Sequence, residues 1–386
     1  MLKRMVVKAL NFISKIVPVQ KNKIVFWAAR GKIDEHPREI FFYIRNQKEK
    51  KYKILWIVDK NTDVSELNKG EYCHYRTLRG YYELASAKYW VQSQSLGSLL
   101  EKKKSQIYIQ TFHGQGAFKK MGLDVNDNRE KESAVESNIT KEWDWLITTD
   151  PINEKVMRQC LPYNGKCRML GAANTDYLIN ATMADCRRVK EQLGLGIEKT
   201  VIMYAPTFRD DDLREIINYD DKNKIANLIK KRIPIFSLEK LKDSVVLIRL
   251  HPQMRQMLDG IKLPDNFIDV CNYSDMKPLL LITDVLISDY SDIVIAYSVL
   301  NRPMVFYAYD YNEYLKNRGF YIDYKKEVPG PIVYTENELY KVLVDGEIYD
   351  KKYKEKCDKF NRKFNELNDG NVSSRFYKAL CNKEFD

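Results

Sequence analysis

Short apolar strands alternate with amphipathic helices along most of this chain, and that alternation restricts the fold more than any other feature. In the first half the predicted strands are residues 23–28, 53–58, 89–93, 107–112, 145–149 and 168–170. In the second half they are residues 201–204, 245–250, 284–288, 304–307 and 332–333. The whole apolar run 279–287 is also interpreted as buried strand. Strands separated by helices in this way build α/β folds with parallel sheets.

Length divides the chain into two such units. At 386 residues it is too long for one ordinary domain and suits two of about 150–200 residues each. We predict two Rossmann-like domains facing a cleft, the first over residues 19–184 and the second over 185–335. Residues 1–18 form a separate amphipathic helix. The charged segment 336–386 is predicted to be helical, and a helix that crosses back to the first domain is one interpretation of it.

Composition limits the kinds of partner and compartment. Hydrophobic residues at 44% and aromatic residues at 12% are enough for packed cores, so a disordered chain is excluded. The formal charge of +11 favours nucleotides, phosphorylated substrates or an anionic membrane surface. Seven scattered cysteines without a C-x-x-C pair argue against a disulfide framework or a zinc site and favour a reducing cytosol. The lysine runs lack interleaved aromatics, so no nucleic-acid partner is predicted.

The N-terminal segment has the pattern of a helix that lies on a membrane surface. No stretch reaches the roughly 18–20 continuous apolar residues that a membrane span needs. Instead, apolar side chains recur at spacings of three and four, with cations on another face, until Pro18 ends the segment. The apolar stripe is Leu2, Val6, Ala9, Ile13 and Ile16. The alternative interpretation is a helix packed on the protein's own surface.

Residues 288–292 (SDYSD) join a buried strand directly to a helical pattern. Free backbone N–H groups, hydroxyls and the positive end of a helix dipole meet at such a turn, and together they can hold a phosphate. Ser291 and Asp292 are the predicted contacts there. Another strand end is followed by Pro206, Thr207 and Arg209, which add a hydroxyl and a charge.

Two further strand ends carry histidines. His113 precedes Gly114 and is positioned to take a proton from an attacking hydroxyl, although a structural histidine that caps a turn is the alternative. Arg249 and His251 alternate along one predicted strand, so both side chains project to one face and suit a pyrophosphate. An arginine paired with an acidic neighbour is the alternative there. The acidic run 210–212 is interpreted as solvated, so neither a metal nor another cofactor is predicted.

Together these motifs resemble the CDP-glycerol glycerophosphotransferase family, whose members build the polyol-phosphate chains of teichoic acids and related capsules. The resemblance extends from residue 23 to residue 333. Its specific segments are 111–114 (TFHG), 119–122 (KKMG), 204–210 (YAPTFRD), 249–252 (RLHP), 284–291 (DVLISDYS), 318–321 (RGFY) and 329–333 (PGPIV).

The resemblance implies a GT-B-like fold, with an acceptor domain first and a nucleotide-donor domain second. It implies transfer of a polyol phosphate, glycerol phosphate first, from a CDP-polyol to a lipid-linked saccharide or polyol-phosphate acceptor, with release of CMP. His113 would be the base, and His251 the second catalytic histidine. Gly114, Pro206, Thr207, Arg209, Arg249, Ser291 and Asp292 would bind the donor. The protein would be attached peripherally to the cytoplasmic face of the cell membrane.

Several positions depart from the family pattern. Gln115 and Gly116 follow His113 where the family usually has Thr-Pro, and Ala173-Asn174 stand where Pro-Arg is common. Asp292 replaces the second serine of a Ser-Ser pair, and Ala296 replaces an aspartate four residues later. Because residues four apart share a helix face, the carboxylate could have moved by one turn.

Three other functions stay open from the residues. A CDP-ribitol-using ribitolphosphotransferase would retain the pyrophosphate contacts and change those to the transferred group. A GT-B glycosyltransferase that uses a nucleotide sugar would share the fold and release a nucleoside diphosphate. A non-catalytic module that binds a membrane or a polyanion would explain the charge but not the histidines at strand ends.

Overall fold

The structure is a computed structural model that describes residues 11–12, 14–96, 100–116, 118–125, 139–161, 163–207, 209, 232–251, 254, 258 and 262–386. The chain forms two compact units. The first unit consists of Met1–Gly116, Met121–Tyr177 and Phe364–Asp386, and the second consists of Ala117–Lys120 and Leu178–Lys363.

The first unit is built on a parallel sheet of seven strands in the order β3-β2-β1-β4-β5-β6-β7. The strands are β1 (Gln20–Trp27), β2 (Lys53–Val58), β3 (Tyr72–His74), β4 (Ala87–Gln92), β5 (Ile107–Gln110), β6 (Trp145–Thr148) and β7 (Lys166–Met169). The labelled α-helices are α1 (Glu35–Arg45), α2 (Leu78–Ser86), α3 (Pro151–Cys160), α4 (Asp176–Asn180), which passes into the second unit, and α13 (Val372–Cys381). Residues 11–12 and 14–16 are also helical. Two 3-10 turns are Gly122–Asp124 and Ala173–Thr175.

Local chemistry explains where the helices of this unit begin and which face they bury. The Asp34 carboxylate accepts the Glu35 N–H at the start of α1, and Asp150 accepts two N–H groups at the start of α3, where Pro151 follows. Helix α1 buries Ile40, Phe41 and Ile44 on one side. Its Phe41 ring meets the Phe26 ring of β1 edge-on at 5.4 Å, in the core between helix and sheet.

The second unit has a parallel sheet of six strands in the order β10-β9-β8-β11-β12-β13. The strands are β8 (Thr200–Tyr204), β9 (Ser244–Ile248), β10 (Phe267–Asp269), β11 (Val285–Ser288), β12 (Met304–Tyr307) and β13 (Ile332–Val333). The α-helices are α5 (Met183–Gln192), α6 (Ile235–Leu238), α7 (Met276–Ile282), α8 (Ile293–Ser298), α9 (Tyr311–Asn317), α10 (Tyr324–Glu327), α11 (Glu336–Val344) and α12 (Lys351–Phe364), with a 3-10 turn at Glu347–Tyr349. Two doubly wound parallel sheets confirm the predicted GT-B-like class.

The apolar run 279–287, predicted as a single buried strand, is helix and then strand. Helix α7 ends at Ile282, and β11 begins at Val285. The Asp275 carboxylate accepts the Lys277 N–H and so starts the helix. All of Leu279–Ile282 is buried. Because periodicity cannot separate a buried helix from a buried strand, the run alone could not reveal this boundary.

The compact units differ from the predicted ranges at both ends of the second domain. The chain passes to the second unit after Tyr177, whereas the prediction placed the change at 184/185. Residues 364–386 belong to the first unit, where Tyr52 donates its hydroxyl to the Leu380 carbonyl at 2.8 Å. In the predicted N-terminal helix, residues 1–10 and 13 lie outside the described residues. Within the ranges that the structure describes, no helix combines the length and apolarity needed to cross a membrane.

Candidate active site

In the second unit, the loops that carry the predicted donor contacts follow neighbouring strands at the carboxyl-terminal end of the sheet. Strands β8 and β11 are adjacent, and from them the strand order runs in opposite directions. Such a switch point leaves a crevice at the carboxyl ends of the strands, where open α/β sheets bind ligands. Thr207 follows β8 and Ser291 follows β11, so the structure places these two predicted contacts on either side of the switch point.

Asp289 joins the two loops at this point. Its carboxylate accepts the Thr207 N–H at 2.7 Å and the Tyr290 N–H at 2.6 Å. The Asp289 side chain is almost fully buried and receives a third hydrogen bond from Arg209 at 2.8 Å. Charge-assisted bonds of this kind hold the loops in one arrangement. Asp289 was not among the predicted site residues.

Arg209, predicted to bind the donor, is committed to contacts within the protein. Its Nε donates to Asp310 at 2.7 Å, its Nη2 donates to Asp289, and its Nη1 donates to the Thr207 carbonyl at 2.6 Å. Only 8% of the side chain is exposed. These contacts make Arg209 a residue that ties together the loops after β8, β11 and β12.

Aromatic rings complete the surroundings of Arg209. Its guanidinium lies 4.8 Å from the Tyr290 ring centroid and 4.9 Å from that of Tyr314, and those two rings stack at 4.0 Å. Tyr290 also donates its hydroxyl to Asp310 at 2.9 Å. Burial raises the pKa of the Asp310 carboxyl, but the hydrogen bonds and charge of Arg209 outweigh it, so this pKa is lowered below its ordinary value.

Arg249 and His251 lie beyond the end of β9, because the strand ends at Ile248. Arg249 donates through Nη1 to the carbonyls of Cys271 at 2.9 Å and Tyr273 at 2.7 Å, so it shapes the loop after β10. His251 is exposed, and its carbonyl accepts the Met254 N–H. Arg249 therefore supports a loop, whereas His251 is exposed at the same carboxyl-terminal end of the sheet.

The predicted phosphate turn contains two side chains with different surroundings. Ser291 is half-buried, and its hydroxyl accepts the Ile293 N–H at a long 3.4 Å. Asp292 precedes the six-residue helix α8, yet its carboxylate makes no capping hydrogen bond. Its Oδ1 is covered and has no hydrogen-bond partner among the described residues. The Thr207 hydroxyl, in a side chain that is mostly buried, likewise has no described partner.

The segment that carries His113 divides between the two units. His113, Gly114 and Gln115 belong to the first unit, whereas residues 117–120 belong to the second. His113 is exposed just past β5, and its ring stacks on that of Phe112 at 4.3 Å. Phe112 has φ +59°, a conformation that is unfavourable for an aromatic residue. Strain of this kind at the residue before a candidate base is typical of functional sites.

Gln115 and Gly116, which depart from the family pattern, fill structural roles in the first unit. The Gln115 amide donates to Asn365 at 3.1 Å, and the Gln115 carbonyl accepts from Asn153. Gly116 has φ +58°, and a Cβ there would come within 2.8 Å of the Met157 methyl group. The departures therefore anchor the loop behind His113.

Lys119 lies in the family segment 119–122 but was not among the predicted site residues. Its backbone pairs with Phe320 in an isolated antiparallel bridge, and Tyr321 N–H donates to the Phe118 carbonyl at 3.1 Å. The Phe118 ring is fully buried against Tyr324 at 5.9 Å. Burial lowers the pKa of the Lys119 ammonium, which the nearby charge of Asp292 opposes. The segment from Phe118 to Lys120 thus brings a cation into the second unit.

The turn with the other departure supports the last helix. Asp176 accepts the backbone N–H groups of Val372 at 3.0 Å and Ser373 at 2.7 Å, at the start of α13. The Asn174 N–H donates to His36 Nδ1 at 3.3 Å. These contacts give the turn a structural role in the first unit.

Within the part of the chain that the structure describes, no group of three histidine, cysteine or acidic side chains could hold a metal ion. Residues 210–212 lie outside the described residues. Three residues were not among the predicted site residues: Asp289, Asp310 and Lys119. Asp289 and Lys119 nevertheless lie in the family segments 284–291 and 119–122. Asp289 directly follows the last residue of β11, and Asp310 comes three residues after β12, where parallel sheets place ligand-binding loops.

Comparison with known proteins identifies the relatives of this chain. A family described as CDP-Glycerol:Poly(glycerophosphate) glycerophosphotransferase matches residues 9–382. A teichoic acid poly(glycerol phosphate) polymerase of Bacillus spizizenii is 28% identical over 381 residues, covering 95% of this chain and 93% of that protein. A teichoic acid glycerol-phosphate transferase of Staphylococcus aureus is 29% identical over 378 residues, covering 93% of each.

A solved structure agrees with these relatives. The wall teichoic acid polymerase TagF, in a variant soaked with CDPG, superposes with a TM-score of 0.83 at 27% sequence identity. The match covers 100% of this chain and 96% of that one. The similarity therefore includes both units.

Proposed function

The chain belongs to the CDP-glycerol:poly(glycerophosphate) glycerophosphotransferase family, and on that premise we propose that it transfers glycerol phosphate from CDP-glycerol to a hydroxyl of a teichoic acid acceptor. The observation that carries this proposal is the pair of loops at the switch point of the second sheet. Thr207, Ser291 and His251 follow three adjacent strands there. This edge offers hydroxyls and an imidazole to a pyrophosphate, and it is the expected place for a nucleotide.

In the proposed reaction His113 acts as the general base. It takes the proton from the acceptor hydroxyl as that oxygen forms a bond to the phosphorus that carries glycerol. The bond between this phosphorus and the bridging oxygen of the pyrophosphate breaks, and CMP leaves with the electron pair. His113 is exposed at the carboxyl end of the first unit's sheet, with Phe112 strained beside it, which supports this role.

His251 is the second catalytic histidine in this proposal. As an exposed imidazole beyond β9, it can stabilise charge that develops on the departing phosphate, together with Thr207 and Ser291. Gly114 and Pro206 let backbone approach the donor. Arg209 and Arg249 keep their proposed place in donor binding through the loops that they hold, because the guanidinium contacts described above are made to Asp289, Asp310 and backbone carbonyls.

The acceptor is proposed to be lipid-linked, with the protein at a membrane surface on the cytoplasmic side. Phe12 and Ile16 expose 72% and 73% of their surfaces, although Ser14 between them is buried. Exposed apolar side chains beside cations suit a bilayer interface. Replacing both by serine should reduce sedimentation with anionic vesicles, whereas serine at the exposed Met183 should not. Equal sedimentation of both variants would contradict the membrane role.

A ribitol phosphate donor is the second candidate. The observation that favours testing it is Asp292, whose carboxylate replaces a family serine and lacks a described hydrogen-bond partner at Oδ1. A sugar nucleotide is distinguished by its product, because a glycosyltransferase would release a nucleoside diphosphate. A membrane- or polyanion-binding module would release no product at all.

The test is CMP release from CDP-glycerol or CDP-ribitol, with a lipid-linked saccharide acceptor in detergent. We expect CMP from CDP-glycerol, with a loss of about 10²–10⁴-fold in rate for His113→Ala, because that is what a general base contributes. His74→Ala is the matched control. It removes an imidazole at β3, four strands from β5 and therefore about 19 Å away in the sheet. CMP release that persists at the wild-type rate in His113→Ala would refute the role of His113 as general base. The absence of CMP release from either donor would refute the proposed transferase function.

A further inference from the structure

Lys119 and Asp292 carry opposite charges and come from two distant parts of the chain, and both belong to the second unit. The bridge between Lys119 and Phe320 positions the lysine, since the Phe320 ring packs against Tyr290 at 5.4 Å and against Tyr314 at 5.6 Å. Tyr290 precedes Asp292 by two residues. Burial lowers the pKa of the Lys119 ammonium, and the charges of Asp292 and Asp289 oppose that shift.

The environment of the pair is rigid. The loop before Asp292 is fixed by Asp289, whose carboxylate accepts hydrogen bonds from Thr207, Tyr290 and Arg209. On the other side, the Lys120 N–H donates to the Gly319 carbonyl at 3.1 Å and Arg318 Nε donates to the Lys120 carbonyl at 3.0 Å. Side chains held between such anchors lose little freedom when they bind a ligand.

Two polar atoms near these hydrogen-bonded loops could still bind a ligand. Asp292 Oδ1 and the Thr207 hydroxyl are both covered atoms without a partner among the described residues. An unmatched buried polar atom is unfavourable, because it loses its hydrogen bonds to water and gains none within the protein. Native structures seldom tolerate such atoms without a functional reason. A ligand that supplies hydroxyl donors would satisfy the carboxylate oxygen, and one that supplies an anion would match the ammonium.

We propose that Lys119 and Asp292 form a donor-recognition pair, in which Lys119 contacts the phosphate that carries the polyol and Asp292 accepts a hydrogen bond from a polyol hydroxyl. The inference rests on the proposed function, and it names the residue that selects the transferred group. A carboxylate beside a phosphate would ordinarily repel it. Here the lysine offsets that repulsion, and the arrangement favours a phosphate that bears hydroxyl groups over a bare one.

Position on helix α8 agrees with this role. Asp292 is half-buried, as is Ala296 one turn later, whereas Val294, Ile295 and Tyr297 are buried in the core. Residues 292 and 296 therefore share the helix face that is not packed against the sheet. Ala296 places only a methyl group on this face, one turn from the carboxylate of Asp292.

The affinities for three nucleotides distinguish the phosphate contact of Lys119 from the hydroxyl contact of Asp292. CDP-glycerol carries the polyol, CDP retains both phosphates without it, and CMP lacks the second phosphate. Asp292→Asn should weaken CDP-glycerol by about tenfold or more, the effect of one hydrogen bond to a charged group, without weakening CDP. Lys119→Met should weaken CDP-glycerol and CDP by similar factors and affect CMP less. Dissociation constants from titration calorimetry on the full chain are the measurement.

Controls distinguish recognition from misfolding. Asp358→Asn and Lys316→Met make the same chemical changes at exposed positions of α12 and α9 and should leave all three affinities unchanged. Retained CMP binding shows that each variant is folded. As a second readout, Asp292→Asn should raise KM for CDP-glycerol more than it lowers kcat, and should change the preference between CDP-glycerol and CDP-ribitol.

Each outcome decides a different question. If the wild-type chain neither binds CDP-glycerol nor releases CMP from it, the proposed function fails and this inference fails with it. If the wild-type chain turns over CDP-glycerol but Asp292→Asn binds CDP-glycerol and CDP with wild-type affinities, only the recognition pair is overturned. An equal loss of CDP-glycerol and CDP binding in Asp292→Asn would assign Asp292 a structural role and also overturn it.

Discussion

Replacing Arg209 by methionine tests whether the buried ion network holds the loops of the second sheet. The change keeps the length and apolar contacts of the side chain and removes its charge. The side chains of Asp289 and Asp310 are 2% and 9% exposed, and both would lose the guanidinium that they share. Arg232 would remain 3.4 Å from Asp310. Removing one partner of a buried ion pair typically costs about 3–5 kcal/mol, because it leaves uncompensated buried charge.

The positions of the tryptophans provide an internal control for this measurement. All five tryptophans lie in the first unit, at positions 27, 56, 90, 143 and 145. Tryptophan fluorescence therefore follows the first unit, and hydrogen exchange of peptides from 200–209 and 285–310 follows the second. We expect Arg209→Met to lower the urea midpoint of the second unit by about 1.5–2.5 M, for a slope near 2 kcal/mol/M. The fluorescence midpoint should change much less.

Two further variants make the reasoning refutable. Arg188→Met removes an exposed arginine paired with Asp185, so it should cost less than about 1 kcal/mol. Asp289→Asn combined with Arg209→Met should recover part of the loss, since it removes one of the stranded charges. If Arg209→Met proves no more destabilising than Arg188→Met, the network does not hold these loops and Arg209 becomes available as a direct donor contact.

Three other predictions concern local features. Arg209 lowers the pKa of Asp310 below its value in the unfolded chain. The stabilisation from the ionised Asp310 is therefore complete above about pH 4 and is lost as pH falls through the folded pKa. Asp310→Asn should reduce the dependence of the unfolding free energy on pH in this acidic range. Asp176→Ala should destabilise the docking of α13 by about 1–2 kcal/mol, seen as faster hydrogen exchange over 372–381, and unchanged exchange would contradict the capping role. Gly116→Ala should lower the melting temperature of the first unit and reduce CMP release, because φ +58° and the Met157 contact both oppose a Cβ; wild-type values would show that the loop relaxes.

Much of the architecture was accessible from the sequence because local patterns carry it. Period-two and period-3.6 patterns record burial of each segment, so most strands of both parallel sheets were predicted within a few residues. Strands β3 and β10, at three residues each, were too short to stand out. The motifs that carry the family resemblance follow β5, β8, β9 and β11, where the rule for open sheets places a ligand-binding edge.

Only the tertiary structure decided what individual charged residues do. Arg209 and Arg249 looked equally available to a phosphate, but their partners Asp310 and Cys271 come from segments 101 and 22 residues away. The segment with Phe118 and Lys119 belongs to the second unit although it continues directly from His113. A sequence motif records which side chains are present, whereas the pairing of a buried charge depends on neighbours that long-range packing brings together.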